Sequence, residues 1–237
     1  MDRIEFIREA EKKYHDECYE NHTLFEPGSW LHKPVKTVID LIPLLEGKEN
    51  PRVLDLGSGV GRNSIPIARA IKSRNGKVIC VDLLDSALYK LKEYSKEYRV
   101  EETISIEKAD LGYYEIRPDE YDLIVAVSSL EHVHSEQKFT SVVNQMAAGT
   151  KKNGMNCLIV NSSIEEIDLE TNKKLEALME VNIPTEEMMM KLKTIYSGWE
   201  ELNVFEKALE YEITRDRKPI LMKTNAITYV VKKSRGR

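Results

Sequence analysis

Apolar positions near the start of the chain recur at a helical period. Ile4, Ile7, Tyr14 and Cys18 fall roughly on one face of a first helix. The stretch "NHTLFEPGSW" then reads as a loop. Val35, Val38, Ile39, Ile42 and Leu45 predict a second helix after Pro34, which Pro43 should kink or end early. From residue 52 the pattern changes to short apolar runs alternating with amphipathic ones. "RVLDLG", "KVICVD", "TISIEKAD", "YDLIVAVSS" and "GMNCLIVNSS" predict five strands. Between them lie helical stretches: "NSIPIARAIKS", "DSALYKLKEYSKEY" with Leu84, Leu88, Leu91, Tyr94 and Tyr98 on one face, and "SEQKFTSVVNQMAAGT" with Phe139, Val142, Val143 and Met146 inward. Asn63 or Ser64 is placed to cap the first of these, and Pro66 falls in its first turn, where no N–H is needed.

Strands that are apolar throughout belong in a parallel sheet covered on both faces. Their alternation with helices predicts an α/β, doubly wound domain with right-handed crossovers. After Ser163 the rhythm breaks. "IEEIDLETNKKLEALMEVNIP" is polar and less periodic, and Thr185 can cap a helix bearing Met188, Met189, Leu192 and Ile195. The three consecutive methionines 188–190 read as a core helix face more readily than as a pocket floor. Two β-rich segments around "TRDRKP" predict that the sheet finishes antiparallel. We expect one domain over 1–237, with N-terminal helices over 1–48, a ligand-binding core over 49–163 and a substrate-side helix with terminal strands over 164–237.

The 237 residues suffice for one large domain, and 41% hydrophobic with 32% charged residues is ordinary for a globular chain. A net charge of −5 gives no broad attraction to nucleic acid or anionic lipid. The basic end "KKSRGR" reads as a solvated tail. No apolar run approaches a membrane span, and the charged first residues do not read as a signal peptide, so a cytoplasmic protein is expected. Cys18, Cys80 and Cys157 are too far apart for a metal-binding pair or a disulfide framework; the last two read as buried apolar residues.

The candidate chemistry sits in "VLDLGSGVGRNSIPIA", where the first strand passes through Gly57, Gly59 and Gly61 into a helix. In doubly wound folds a ligand lies at such a loop. A phosphate-binding P-loop needs Lys and Ser or Thr after its glycines, but Arg62 and Asn63 stand there. The dinucleotide pattern G-x-G-x-x-G wants its third glycine where Arg62 stands. Asp55 beside the loop would repel a pyrophosphate and suit a cationic ligand. Asp82, twenty-one residues after Gly61 at the end of the second strand, is placed for a ribose, which NAD and S-adenosylmethionine share.

Asp55 to Gly61, Asp82, "KADL" around Asp110 and "YDLIVAVSSLEHV" together resemble motifs I to IV of the class I S-adenosylmethionine-dependent methyltransferases, over roughly residues 50–160. "NIPTEEMMMKLKTIYSGWE" is similar to tellurite-resistance-type and related small-molecule methyltransferases. The resemblance implies a Rossmann-like, mostly parallel seven-stranded sheet with an antiparallel C-terminal strand and an N-terminal helical lid. It implies that Gly57, Gly59 and Gly61 pass the methionine part of S-adenosylmethionine, with Ser58 beside them. Asp55 would support the ammonium group; Asp82, with Leu83 next to it, would take the ribose hydroxyls. Asp110 would bind the adenine amino group, the Leu111 N–H the ring, and Ser128 would lie near the sulfonium.

The leaving group is already good, so the protein contributes chiefly by positioning, and a base is needed only where the acceptor must lose a proton. His132, in "SSLEHVHSE" with His134, is the candidate base or orienting group; the pair lacks further ligands for a metal. Tyr14, His15, Trp30 and His32 lie in the N-terminal segment, where Tyr14 or Trp30 would line the acceptor pocket; an aromatic face also suits a sulfonium. Arg62 would hold a cofactor or substrate carboxylate. The reading is methyl transfer to a small-molecule acceptor, by a monomer or homodimer needing neither nucleic acid nor membrane. The alternatives are an RNA or protein methyltransferase and a non-catalytic S-adenosylmethionine-binding regulator.

Overall fold

A computed structural model describes residues 2–215 and 218–234. Helix α1 (Arg3–Asn21) starts in a capping box: Asp2 accepts from the Glu5 amide and Glu5 from the Asp2 amide. Its packed face is carried by Ile7 and Tyr19, while Tyr14, expected on that face, is exposed. Leu24 and Leu31 anchor the loop that follows. Helix α2 (Lys36–Leu41) stops before Pro43, which sits in a 3-10 turn over Ile42–Leu45, as the sequence predicts.

The alternating region folds as β1 (Arg52–Leu56), α3 (Ser64–Ile71), β2 (Lys77–Asp82), α4 (Asp85–Glu97), β3 (Ile104–Lys108), β4 (Tyr121–Val127), α5 (Glu136–Gly149) and β5 (Thr150–Asp168). After β6 (Lys173–Leu175) and α6 (Thr185–Ile195), β7 (Glu200–Arg215) and β8 (Lys218–Lys232) complete the sheet. The strand order is β3-β2-β1-β4-β5-β8-β7, with the short β6 paired to β5 outside this path. The first five strands run parallel, and β8 is antiparallel to both its neighbours. The expected α/β class, the seven-strand path and the antiparallel finish are all present among the described residues.

Alternation along each strand feeds two cores. Val53, Val78, Cys80, Leu123 and Val125 pack toward α3 and α4 with the N-terminal segment, whereas Leu54, Leu56, Val81, Ile124 and Leu158 pack toward α5 and α6. Cys80 and Cys157 are buried in the first core, as expected. The strand order reverses between β1 and β4, and the carboxyl ends of these strands carry the glycine loop and Ser128.

The polar stretch after Ser163 is where structure and pattern part. Strand β5 continues through residue 163 to Asp168, with a register shift between Ser162 and Glu165 and a left-handed Ser163 (φ 48°). Its second half, with the matching halves of β7 and β8, extends the sheet beyond its parallel part. The buried Glu166 carboxylate ties this extension together by accepting from both Arg215 Nη atoms and from the Leu178 amide. In α6, Pro184 rather than Thr185 is the N-cap, and Thr185 instead donates its amide to Ser163 Oγ. Met188 is in the core, whereas Met190 is exposed. At the C-terminus Lys233 is anchored, not frayed: it donates to Thr150 O at 2.7 Å and Ala147 O at 3.2 Å. Residues 235–237 of the expected tail, and 216–217 of the expected turn, lie outside the described residues.

Candidate functional site

The glycine loop is built by backbone geometry. Gly57, Gly59 and Gly61 have φ of 75°, 53° and 93°, a region that side-chain-bearing residues seldom occupy. The amides of Gly57 and Ser58 donate to Val81 O, pinning the loop to the end of β2. A Cβ on Gly57 would lie 2.3 Å from Ser129 Cβ, so only glycine lets β1 and the turn after β4 meet here. That turn is fixed in return, since Ser129 Oγ donates to Leu56 O at 2.7 Å. Ser128 is itself left-handed (φ 48°) and exposed at the strand end.

Alternation points Asp55 to the α3 side, where its carboxylate accepts from the Ser64 hydroxyl. Ser64 therefore serves Asp55 rather than capping α3. Asn63 is the N-cap residue of α3, as expected, but its side chain accepts from the Val35 amide rather than from an amide of the helix. Burial pushes the Asp55 carboxyl up to about 6, against the opposing pull of the Ser64 hydrogen bond. Asp82 accepts from the Gly59 amide at 2.8 Å and from the Leu84 amide at 2.9 Å, holding loop and strand tip together. Leu83 beside it is exposed, and Leu111 packs at the margin of the second core. Asp110 accepts from the Gly112 amide at 2.8 Å.

Helix α1 covers this row of acids. Arg8 Nη2 is 2.8 Å from Asp110 Oδ2, and Arg8 Nε is 3.6 Å from Glu180 Oε1. Farther along α1, the Tyr19 hydroxyl lies where a Cβ on Gly59 would be 3.2 Å away. The Trp30 ring is 6.2 Å from Tyr19 and carries the Arg62 guanidinium at 5.0 Å, and Arg62 also donates to Trp30 O at 2.7 Å. His15 lies among these rings, 5.9 Å from Trp30 and 5.3 Å from Tyr14.

In the turn after β4, His132 Nδ1 is 3.1 Å from Oε2 of Glu180, the acid that Arg8 also approaches. Burial alone would lower its proton affinity. The hydrogen bond to the buried Glu180, with the charges of Glu11 and Glu131, outweighs burial and raises the imidazole to about 9. His132 is thus an imidazolium at neutral pH. His134 is exposed and stands beside the Tyr113 ring. Glu131 is fully buried; Oε1 accepts from the Asn161 amide and side chain, while Oε2 has no hydrogen-bond partner among the described residues. No cluster of three metal-binding side chains occurs among the described residues.

The sequence reading thus meets three outcomes. Asp55, Gly57, Ser58, Gly59, Gly61, Asp82 and Ser128 gather at the carboxyl ends of β1, β2 and β4, with Trp30 and Arg62 beside them. Tyr14 lies at the outer edge, half exposed. Arg8, Tyr19, Glu131 and Glu180 were not legible, because a charged helix face and a polar loop carry no spacing that marks them.

The donor set suits S-adenosylmethionine. Three carboxylates line the loop and strand tips without the lysine that a phosphate would need, which matches a cofactor carrying cations and a ribose. Ser58 Oγ is buried with no hydrogen-bond partner among the described residues, a free donor within the loop. No match to the chain is found among curated proteins. The family model for a methyltransferase domain matches residues 53–173. Among solved structures, TehB from Haemophilus influenzae is similar with a TM-score of 0.63 at 20% identity, over 94% of this chain and 67% of that one. A Listeria monocytogenes protein assigned as an S-adenosylmethionine-dependent methyltransferase gives 0.53 at 17% identity, over 83% and 98%. An arsenic(III) S-adenosylmethionine methyltransferase from Chlamydomonas reinhardtii gives 0.54 at 16%, over 81% and 66%. At these identities the structures establish the shared fold, and the family model supplies the activity. The chain belongs to the class I S-adenosylmethionine-dependent methyltransferases.

Proposed function

We propose that this enzyme methylates a small-molecule nucleophile by in-line displacement. The observation that carries this reading is the compact cover of the site: α1, Trp30 and the His132 turn close over the glycine loop with aromatic and paired polar side chains. A polymeric substrate would call for an extended and, for RNA, basic groove. The chain is instead acidic overall. Among the described residues no helix is long and apolar enough to cross a membrane. We place the enzyme in the cytoplasm, as a monomer or homodimer.

S-adenosylmethionine, when bound, supplies an electrophilic methyl group on a cationic sulfur. The chain's own residues position it. Gly57, Gly59 and Gly61 would lie along its methionine part with Ser58 donating, and Asp55 would balance its ammonium group. Asp82 would turn from Gly59 to the ribose hydroxyls, with Leu83 beside the nucleoside. Asp110 and the Leu111 amide would hold the adenine, and Ser128 would stand near the sulfonium. Trp30, Tyr14 and Arg62 would bound the acceptor. His132, protonated at neutral pH, would orient the acceptor by charge and hydrogen bonding rather than remove its proton.

The test is calorimetric titration of wild type and Asp82→Ala with S-adenosylmethionine and with NAD, followed by a small-molecule acceptor panel. We expect S-adenosylmethionine alone to bind, and Asp82→Ala to weaken it at least tenfold. Loss of two ribose hydrogen bonds to a charged acceptor supports that size. Salt-sensitive RNA binding, or binding without turnover over the whole panel, would overturn the small-molecule reading.

A further inference from the structure

We propose that His15, rather than His132, is the catalytic base of the methyl transfer, with Nδ1 receiving the proton that the acceptor atom sheds. This rests on the methyltransferase reading above and narrows the acceptor to molecules whose reacting atom carries a proton: an alcohol or phenol, a thiol, or an amine.

The argument begins with position. His15 lies on α1 one turn before Tyr19, whose hydroxyl rests against Gly59 of the cofactor loop. Its ring is 5.3, 5.6 and 5.9 Å from those of Tyr14, Tyr19 and Trp30. Tyr14 and Trp30 are the rings that bound the proposed acceptor side. Nδ1 is buried and has no hydrogen-bond partner among the described residues. A buried nitrogen without a partner is costly unless something else pairs with it. Nε2 is 3.7 Å from Glu11 Oε2, one turn earlier on the helix. A carboxylate on that side favours the tautomer with its proton on Nε2, which leaves the lone pair on Nδ1.

The electrostatics agree. Burial lowers the proton affinity of His15 and His132 adds to that, outweighing the opposing charges of Glu11, Asp82 and Asp16. His15 therefore stays neutral where His132 is charged. Of the two imidazoles, only a neutral one can accept a proton. As the acceptor takes the methyl group, its X–H pair stays with the acceptor and its proton passes to His15 Nδ1, while the carbon–sulfur pair remains on sulfur. A sulfonium, a neutral imidazole and a protic acceptor give a thioether, an imidazolium and a methylated acceptor, so charge and atoms balance. An acceptor that is already an anion would not need His15.

The experiment reads the charge on His15 and the proton that it takes. His15→Gln should bind S-adenosylmethionine and S-adenosylhomocysteine as wild type does and melt like wild type. Nitrogen NMR of the imidazoles should show His15 neutral and His132 protonated at about pH 7. With 2-mercaptoethanol, catechol and dopamine as acceptor probes, any turnover by wild type should fall at least a hundredfold in His15→Gln. Turnover unchanged in His15→Gln, or a His15 protonated at neutral pH, would each overturn the proposal. Failure of both ligands to bind would instead strike the cofactor assignment on which it stands.

Discussion

His132 Nδ1 and Glu180 Oε2, forty-eight residues apart, meet at 3.1 Å with the carboxylate almost wholly out of solvent. The same carboxylate reaches Arg8 through its other oxygen, at 3.6 Å. One buried acid therefore joins the turn after β4 to helix α1. Its negative charge is tolerable there only because two cationic groups flank it.

This pair predicts a stability signature above neutral pH. The His132 imidazole is raised from 6.5 to about 9, so its stabilising contribution is full below about pH 6.5 and is lost as pH rises through about 9. Glu180→Gln should lower stability at about pH 7 by roughly 1–2 kcal/mol and flatten its decline between those limits. Denaturant titrations of both proteins across that range check this. An unchanged pH slope in the variant would show that Glu180 does not hold the proton on His132.

Asp55 predicts the opposite sign. Its carboxyl rises from 3.8 to about 6, chiefly through burial, so the folded state binds its proton more tightly than the unfolded chain does. The resulting penalty is absent below about pH 4, grows as pH rises, and is complete above about pH 6. Asp55→Asn should gain up to about 3 kcal/mol at about pH 8 and nothing at about pH 4. On the role proposed for Asp55, the same variant should bind S-adenosylmethionine more weakly, because the charge that would balance the ammonium group is gone. Melting curves at the two pH values, with calorimetry on the same samples, decide it; a variant less stable than wild type at the higher pH refutes the assignment.

The glycines can be separated by what surrounds them. Gly57 has φ 75° and a Cβ there would lie 2.3 Å from Ser129 Cβ, whereas Gly47, at φ 78°, has nothing within 4 Å. Gly47→Ala should cost about 1 kcal/mol, for the backbone conformation alone. Gly57→Ala adds a collision between two packed turns and should cost about 3 kcal/mol or more. Urea denaturation of the two variants measures the difference. Equal costs would mean that the β1 and β4 turns can separate freely.

The chain's own pattern determined the layered α/β core. Runs such as "KVICVD" are apolar throughout because both faces of that sheet are covered. The glycine spacing and the acids Asp55 and Asp82 could be read for the same reason: they are fixed by local backbone geometry at strand ends, within about thirty residues of each other. What the pattern concealed was set by contacts distant in sequence. Glu166 to Asp168 continue β5 because Arg215 and β8 meet them from the far end of the chain, so a polar stretch that looks like a loop is a strand. Arg8 and Asp110 are 102 positions apart, and nothing in a charged helix says which residue it will cover. The roles of the two histidines are likewise tertiary. His132 sits in a legible motif, yet Glu180 makes it a cation; His15 sits in an ordinary helix, yet three aromatic rings and burial keep it neutral. Residue type sets the range over which a group can titrate, and the surroundings assembled by folding decide where in that range it stands.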